Sequence, residues 1–164
     1  MVNNTVSTAT TVDEWAAATG CSDEETASAW QDLLRRGLAR EDAGQPTLSP
    51  LAMRRAISAA QRRLAAYLAG YQLTENSFIV RHAGVTSGLP CILNTRIAVE
   101  QIANYFKEGW GVAEIERDLP ILTREEIEAA IQYYLNHRAE IEQDLRRSRE
   151  LYEANAPKPE LQPV

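Results

Sequence analysis

The run Gly88-Leu89-Pro90-Cys91-Ile92-Leu93-Asn94-Thr95-Arg96-Ile97-Ala98-Val99 constrains the fold of this 164-residue chain more than any other stretch. Two apolar, β-compatible segments, Cys91 to Leu93 and Ile97 to Val99, frame the polar corner Thr95-Arg96. Side chains that want burial on both sides of a polar pair mark the place where an extended segment turns into the next element. Upstream, Phe78 to Val80 is the matching apolar segment. The two are expected to pair as short strands, joined by a connection that carries Gly84, Ser87, Gly88 and Pro90. Three helices are expected downstream: Val99 to Glu108, about Val112 to Asp118, and one whose N-cap is Thr123, where Glu126 completes a capping box.

The ordered set Gly88, Pro90, Ile92, Thr95, Arg96, Ile97, Val99, Ile102, Gly109, Pro120, Leu122 and Thr123 resembles the signature of the bacterial and archaeal "domain of unknown function 433" family, over about residues 78–141. Asn94 stands where that family usually has Gly. Asn is the commonest non-Gly residue at positive φ, so the turn is expected to survive. Leu89 stands where the family often has Lys or Arg, which removes a charge that would help the loop grip phosphate. The resemblance implies a small homeodomain-like helix-turn-helix unit. It further implies kinship with VapB-type antitoxins, which are encoded beside nuclease toxins of PIN-like fold, and so a protein that binds partners and does not turn over substrate.

Ahead of this unit the chain reads as a second small domain, residues 11–73. Thr11-Val12-Asp13-Glu14 has the form of a capping box, and Ser22-Asp23-Glu24-Glu25 is a second helix start after the Gly20-Cys21 break. Thr26, Ala29, Trp30, Leu33 and Leu34 form the buried stripe of that second helix, which stops at Gly37. Leu38 to Arg40 and Thr47-Leu48 then read as a hairpin about Asp42-Ala43-Gly44. This order is that of a winged helix-turn-helix. The helix that would enter the major groove carries Asp23, Glu24, Glu25 and Asp32, the wrong sign for phosphates, so dimerisation or protein docking is favoured over base reading. A third helix is expected from Leu51 to Gly70. Its Arg54, Arg55, Arg62 and Arg63 are the candidate DNA contacts, with a solvated helix face as the alternative. Gly70 to Ser77 reads as a linker.

The last helix looks too long for a compact bundle. Ile131, Tyr134, Arg138, Ile141, Leu145, Ser148 and Tyr152 form a heptad seam, and Thr123 to about Glu153 would span roughly 45 Å at 1.5 Å per residue. A trihelical core cannot cover that length. Tyr134, Ile141, Leu145 and Tyr152 are therefore expected to meet a second chain, a further copy or a toxin-like partner. Residues 1–10 and 154–164 are expected to be disordered tails.

The expected fold class is thus mainly α: an N-terminal winged-helix-like unit, then a short β-hairpin plus a three-helix homeodomain-like unit with a long C-terminal helix. Thr95 and Arg96 are assigned to a structural corner, the guanidinium tying carbonyls or a carboxylate such as Glu100 or Asp118, with a partner contact as the alternative. Cys21 and Cys91 lack metal-ligand spacing, His82 and His137 are isolated from any triad, and the Gly84–Gly88 loop lacks a phosphate-loop ending. No enzyme, metal or cofactor is expected. A net charge of −6 disfavours coating nucleic acid by bulk charge. With no membrane span and no secretory signal in the first residues, cytoplasmic residence is the expectation. The leading functional expectation is an antitoxin-like homo-oligomer that binds a nuclease toxin and its own operator DNA. The alternatives are a DNA-binding regulator without a toxin and a structural oligomerisation adaptor.

Overall fold

Side-chain caps set two helix starts in this chain where a hydroxyl is followed three residues later by Glu. The computed structural model describes residues 8–157, a mainly helical chain with small antiparallel sheets. In chain order the elements are α1 (Thr8–Thr19), α2 (Asp23–Arg35), β1 (Ala39–Asp42), β2 (Gln45–Leu48), α3 (Ala59–Leu68), β3 (Gln72–Leu73), β4 (Ile79–Arg81), β5 (Cys91–Ile92), α4 (Val99–Lys107), α5 (Val112–Asp118), α6 (Arg124–Asn136) and α7 (Arg138–Asn155). Ser22 caps α2 and Thr123 caps α6, each in a full capping box with Glu25 and Glu126. Each box satisfies amide donors that the first turn would otherwise leave without acceptors.

The N-terminal core gathers Trp15, Trp30, Leu33, Leu38, Ala52 and Leu64 from α1, α2, α3 and the hairpin region. β1 and β2 pair in register from Ala39↔Leu48 to Asp42↔Gln45. Ala43 and Gly44 between them both have positive φ, 52° and 78°, which matches the twist of a two-residue hairpin turn. Two expectations need correction here. α1 is already helical at Thr8, so Thr11 lies inside the helix and is not its cap. The third helix begins at Ala59, not Leu51, because the Ser58 side chain accepts the Gln61 amide and stops the helix there. Residues 51–55 form turns in which the Arg55 amide reaches Leu51 O at 2.9 Å. Arg36 Nη2 holds Arg55 O at 2.7 Å, and Gln61 Oε1 takes the Ile57 amide at 2.9 Å. Apolar spacing runs through both segments, but these polar bonds separate them.

The stretch expected as a linker is part of a sheet. β3 pairs with β4 (Gln72↔Arg81, Leu73↔Val80), and β4 pairs with β5 (Ile79↔Ile92, Val80↔Cys91). Alternation along a strand sends successive side chains to opposite faces, and this small sheet buries both. Ile79 and Ile92 join the C-terminal core with Val99, Ile102, Ile115 and Ile127. Val80 and Cys91 pack with Ala66 of α3, Leu93 and Tyr71. The two units are therefore fused through the sheet. Gly70–Ser77 is further held by Thr74 Oγ1, which donates to Ile79 O at 2.7 Å.

α4 and α5 follow the expected bounds closely, and α6 starts at its expected Thr123 cap. The expected single helix from Thr123 to Glu153 does not exist: it breaks at His137, whose φ of −123° and ψ of 35° are not helical. Beyond the break α7 packs against α4, and Ile141 is fully buried in the C-terminal core. The expected disordered tails lie outside the described residues except at 8–10 and 154–157, of which 8–10 and 154–155 are helical. None of the described helices is long and apolar enough to cross a membrane.

Candidate partner-binding surfaces

The corner between β5 and α4 is built by Thr95, and Arg96 plays no part in it. Asn94 sits at φ 59°, the left-handed conformation that Asn tolerates where Gly would be usual. Thr95 Oγ1 donates to Ile92 O at 2.8 Å and accepts the Ile97 amide at 3.1 Å. Leu93 N reaches Phe78 O at 2.8 Å and Val99 N reaches Pro90 O at 2.8 Å. These bonds hold the turn without a guanidinium. Arg96 is exposed and makes no hydrogen bond or ion pair among the described residues. The carboxylates proposed for it are engaged elsewhere: Glu100 accepts from Ser148 at 2.9 and 3.0 Å, and Asp118 accepts from the Tyr105 hydroxyl. Of its two expected roles, the structural tie is corrected and the partner contact is left.

The four arginines read as a basic helix face do not share one. Arg62 donates from Nε to Ser77 Oγ at 3.0 Å, and its guanidinium lies 3.9 Å over the Phe78 ring. Burial there pushes its pKa down, against the fields of Glu125 and Glu126. Arg63 bonds Thr19 O and Thr74 O, tying α3 to the end of α1 and to the β3–β4 connection. These two are positioned by the fold, whereas Arg54 and Arg55 are exposed in the turns before α3. Arg54 and Arg62 line a cleft of about 380 Å³ where the two units meet, opposite Thr123, Glu125 and Glu126. Ile57 and Ile121, 73% and 51% exposed, also line it. No sequence signal marked this cleft, because its walls come from segments some 70 residues apart.

The expected partner seam divides at Ser148. Tyr134 and Ile141 are buried, and Leu145 packs against the same core, so three of the four residues expected to meet a second chain are covered by their own. Glu142 accepts from Lys107 Nζ at 2.7 Å and from Tyr134 Oη at 2.7 Å, and these bonds hold its carboxyl below the usual range. Glu100 goes the other way: burial raises it, partly offset by the Ser148 hydrogen bond. Arg81 bridges to Glu140. Past Ser148 every residue from Arg149 to Pro157 is exposed, including Leu151 at 58% and Tyr152 at 78%.

Among the described residues no group of three or more His, Cys, Asp or Glu is placed to hold a metal ion. Cys91 is buried, and that burial raises its thiol. Residues 79–134 match the model of the family described as Protein of unknown function (DUF433), the family whose signature runs from Gly88 to Thr123. No curated protein and no solved structure matches the chain.

Proposed function

Taking residues 79–134 as a member of the DUF433 family, we propose that this chain is an antitoxin-like binding protein that captures a nuclease toxin of PIN-like fold through the end of α7. The observation that carries the reading is the last two turns of α7. They continue as helix past the Ser148–Glu100 hydrogen bond and present Leu151 and Tyr152 to solvent, amid Arg149, Glu150 and Glu153. An amphipathic helix end with nothing beneath it is a ready anchor for a groove on another protein. The seam upstream of Ser148 is occupied internally and takes no part. The helix-turn-helix order of α1 and α2 followed by a hairpin agrees with a winged-helix-like docking unit, and α4 to α6 with a homeodomain-like unit.

The test is co-expression with the product of the neighbouring gene, read by light scattering on the purified material. A stable complex that is lost when the chain is cut after Ser148, with the fold intact by circular dichroism, supports the reading. A complex that survives the cut, or none with any adjacent product, removes it.

A second reading, an operator-binding regulator, draws on the exposed arginines around the inter-unit cleft. Arg54 lines it, and Arg96 and Arg124 adjoin its lining residues Thr95 and Thr123. Phosphate contacts of this kind would give affinity a steep salt dependence. Changing Arg54, Arg55, Arg96 and Arg124 together to Ala is expected to flatten the slope of binding to the upstream DNA against salt. An unchanged slope excludes this face.

A further inference from the structure

We propose that the pocket between α1, α2 and the β1–β2 hairpin binds an arginine side chain presented by a protein partner. The pocket is separate from both surfaces described above, and this inference stands whether or not α7 docks a toxin. Its volume is about 180 Å³ and its lining includes Val12, Trp15, Trp30, Glu41 and Pro46. A cavity of roughly 150 Å³ already admits a benzene-sized guest. The two indoles meet edge to face, centroids 5.1 Å apart at 69°. Trp30 Nε1 donates to Glu41 Oε1 at 3.1 Å, so the carboxylate is fixed beside the aromatic wall. Its Oε2 makes no hydrogen bond among the described residues.

Aromatic walls with a fixed carboxylate suit a cation on an apolar stem. A planar guanidinium suits it better than an ammonium, since it stacks on rings and offers several donors to one carboxylate. The surrounding charge has the same sense. The chain has no Lys or Arg before Arg35, while Asp13, Glu14, Asp23, Glu24, Glu25 and Asp32 all precede it. Glu41 and Asp42 add two exposed acids on the hairpin against the single Arg40. An acidic field of this kind attracts a basic partner and repels phosphate.

The probe is N-acetyl-arginine methylamide, with its uncharged citrulline isostere as control, titrated into the full chain labelled with nitrogen-15. The arginine probe is expected to shift the Trp30 indole N–H resonance saturably while leaving Trp110 unmoved, and the citrulline control to bind at least about fivefold more weakly. Glu41→Gln keeps an acceptor for the Trp30 indole and removes the charge, so it is expected to weaken the arginine probe by a similar factor without altering the spectrum elsewhere. Equal binding of the two probes would show a merely apolar groove. That result, no saturable shift, or an indifferent Glu41→Gln each overturns the proposal.

Discussion

The two halves of α7 are built from similar residues and have opposite fates. Arg138–Ser148 and Arg149–Asn155 both set a thin apolar stripe among arginines and acids. The first half lies on α4, with Ile141 buried, Leu145 against the core and Ser148 bonded to Glu100. The second half is exposed at every residue, with Leu151 and Tyr152 facing solvent. A heptad seam therefore says that a stripe wants covering, but not by what. The choice between its own chain and another is made by the break at His137, which redirects the helix.

Replacing the buried anchor is the strongest way to break this comparison. Ile141→Ala removes a fully buried side chain and is expected to cost about 2–5 kcal/mol in urea unfolding, by lost transfer energy and the cavity left behind. Leu151→Ala on the other half should stay within about 0.5 kcal/mol. Similar losses at both sites would mean that the end of α7 is covered in solution.

The break itself can be tested next. The His137 amide closes α6 on Tyr133 O and Tyr134 O, and its carbonyl restarts the ladder by accepting from Ile141 N. Its ring stacks on Tyr133 with centroids 4.0 Å apart, while Nε2 lies 3.1 Å from Glu75 Oε1 on the β3–β4 connection. His137→Ala removes the stack and the bridge and restores helix propensity, and is expected to cost about 1 kcal/mol. Amide hydrogen exchange should then quicken across Arg138–Ser148. Unchanged exchange there would place the cause of the bend elsewhere.

A smaller effect sharpens the chemistry of the anchored half. Glu100 has its pKa raised by burial, so its protonated form is the one that favours the docked helix. That contribution is fully present below the ordinary carboxylate pKa and is lost as pH rises through the folded value. Glu100→Gln keeps an acceptor for Ser148 without the charge. It is expected to stabilise the protein at pH 7 by no more than about 0.5 kcal/mol, since the site is half exposed and screened. The gain should vanish as pH falls below the carboxylate range. A gain that persists there would point to packing and not to charge.

What the sequence reveals of this fold follows the range of the forces involved. The boxes Ser22/Glu25 and Thr123/Glu126 act within one turn, and the helices they start lie where the residues say. Paired strands from Phe78–Val80 and Cys91–Leu93 are legible because each is a short apolar run bounded by turn residues. The Asn94 turn is legible from its residue type. The failures are tertiary. β3 is two residues long and is made a strand only by its pairing with β4. The start of α3 was obscured by apolar spacing that continues through Met53 and Ala56, although Ser58 stood in place as a cap. His137 breaks a helix without Gly or Pro, through contacts to Tyr133 and Glu75 that no local pattern encodes. At the candidate surfaces, residue types picked out the arginines. Only packing separates Arg62 and Arg63, held by Ser77, Thr19 and Thr74, from the exposed Arg54 and Arg96.

The double variant Leu151→Ser with Tyr152→Ser carries the smallest expected effect on stability and separates the halves of α7 most sharply. Both side chains are exposed and neither joins a core cluster, so the isolated chain should unfold within about 0.5 kcal/mol of the parent. Two apolar side chains seated in a partner's groove would each be worth about 1.5–3 kcal/mol of burial. Their loss should therefore weaken capture of a toxin by at least tenfold in a titration followed by calorimetry. Stability and capture report on different states of the same residues: the first on the chain alone, the second on the complex. A variant that lowers stability while leaving capture intact would reverse the assignment. It would make the end of α7 a structural element and send the search for a docking surface back to the inter-unit cleft.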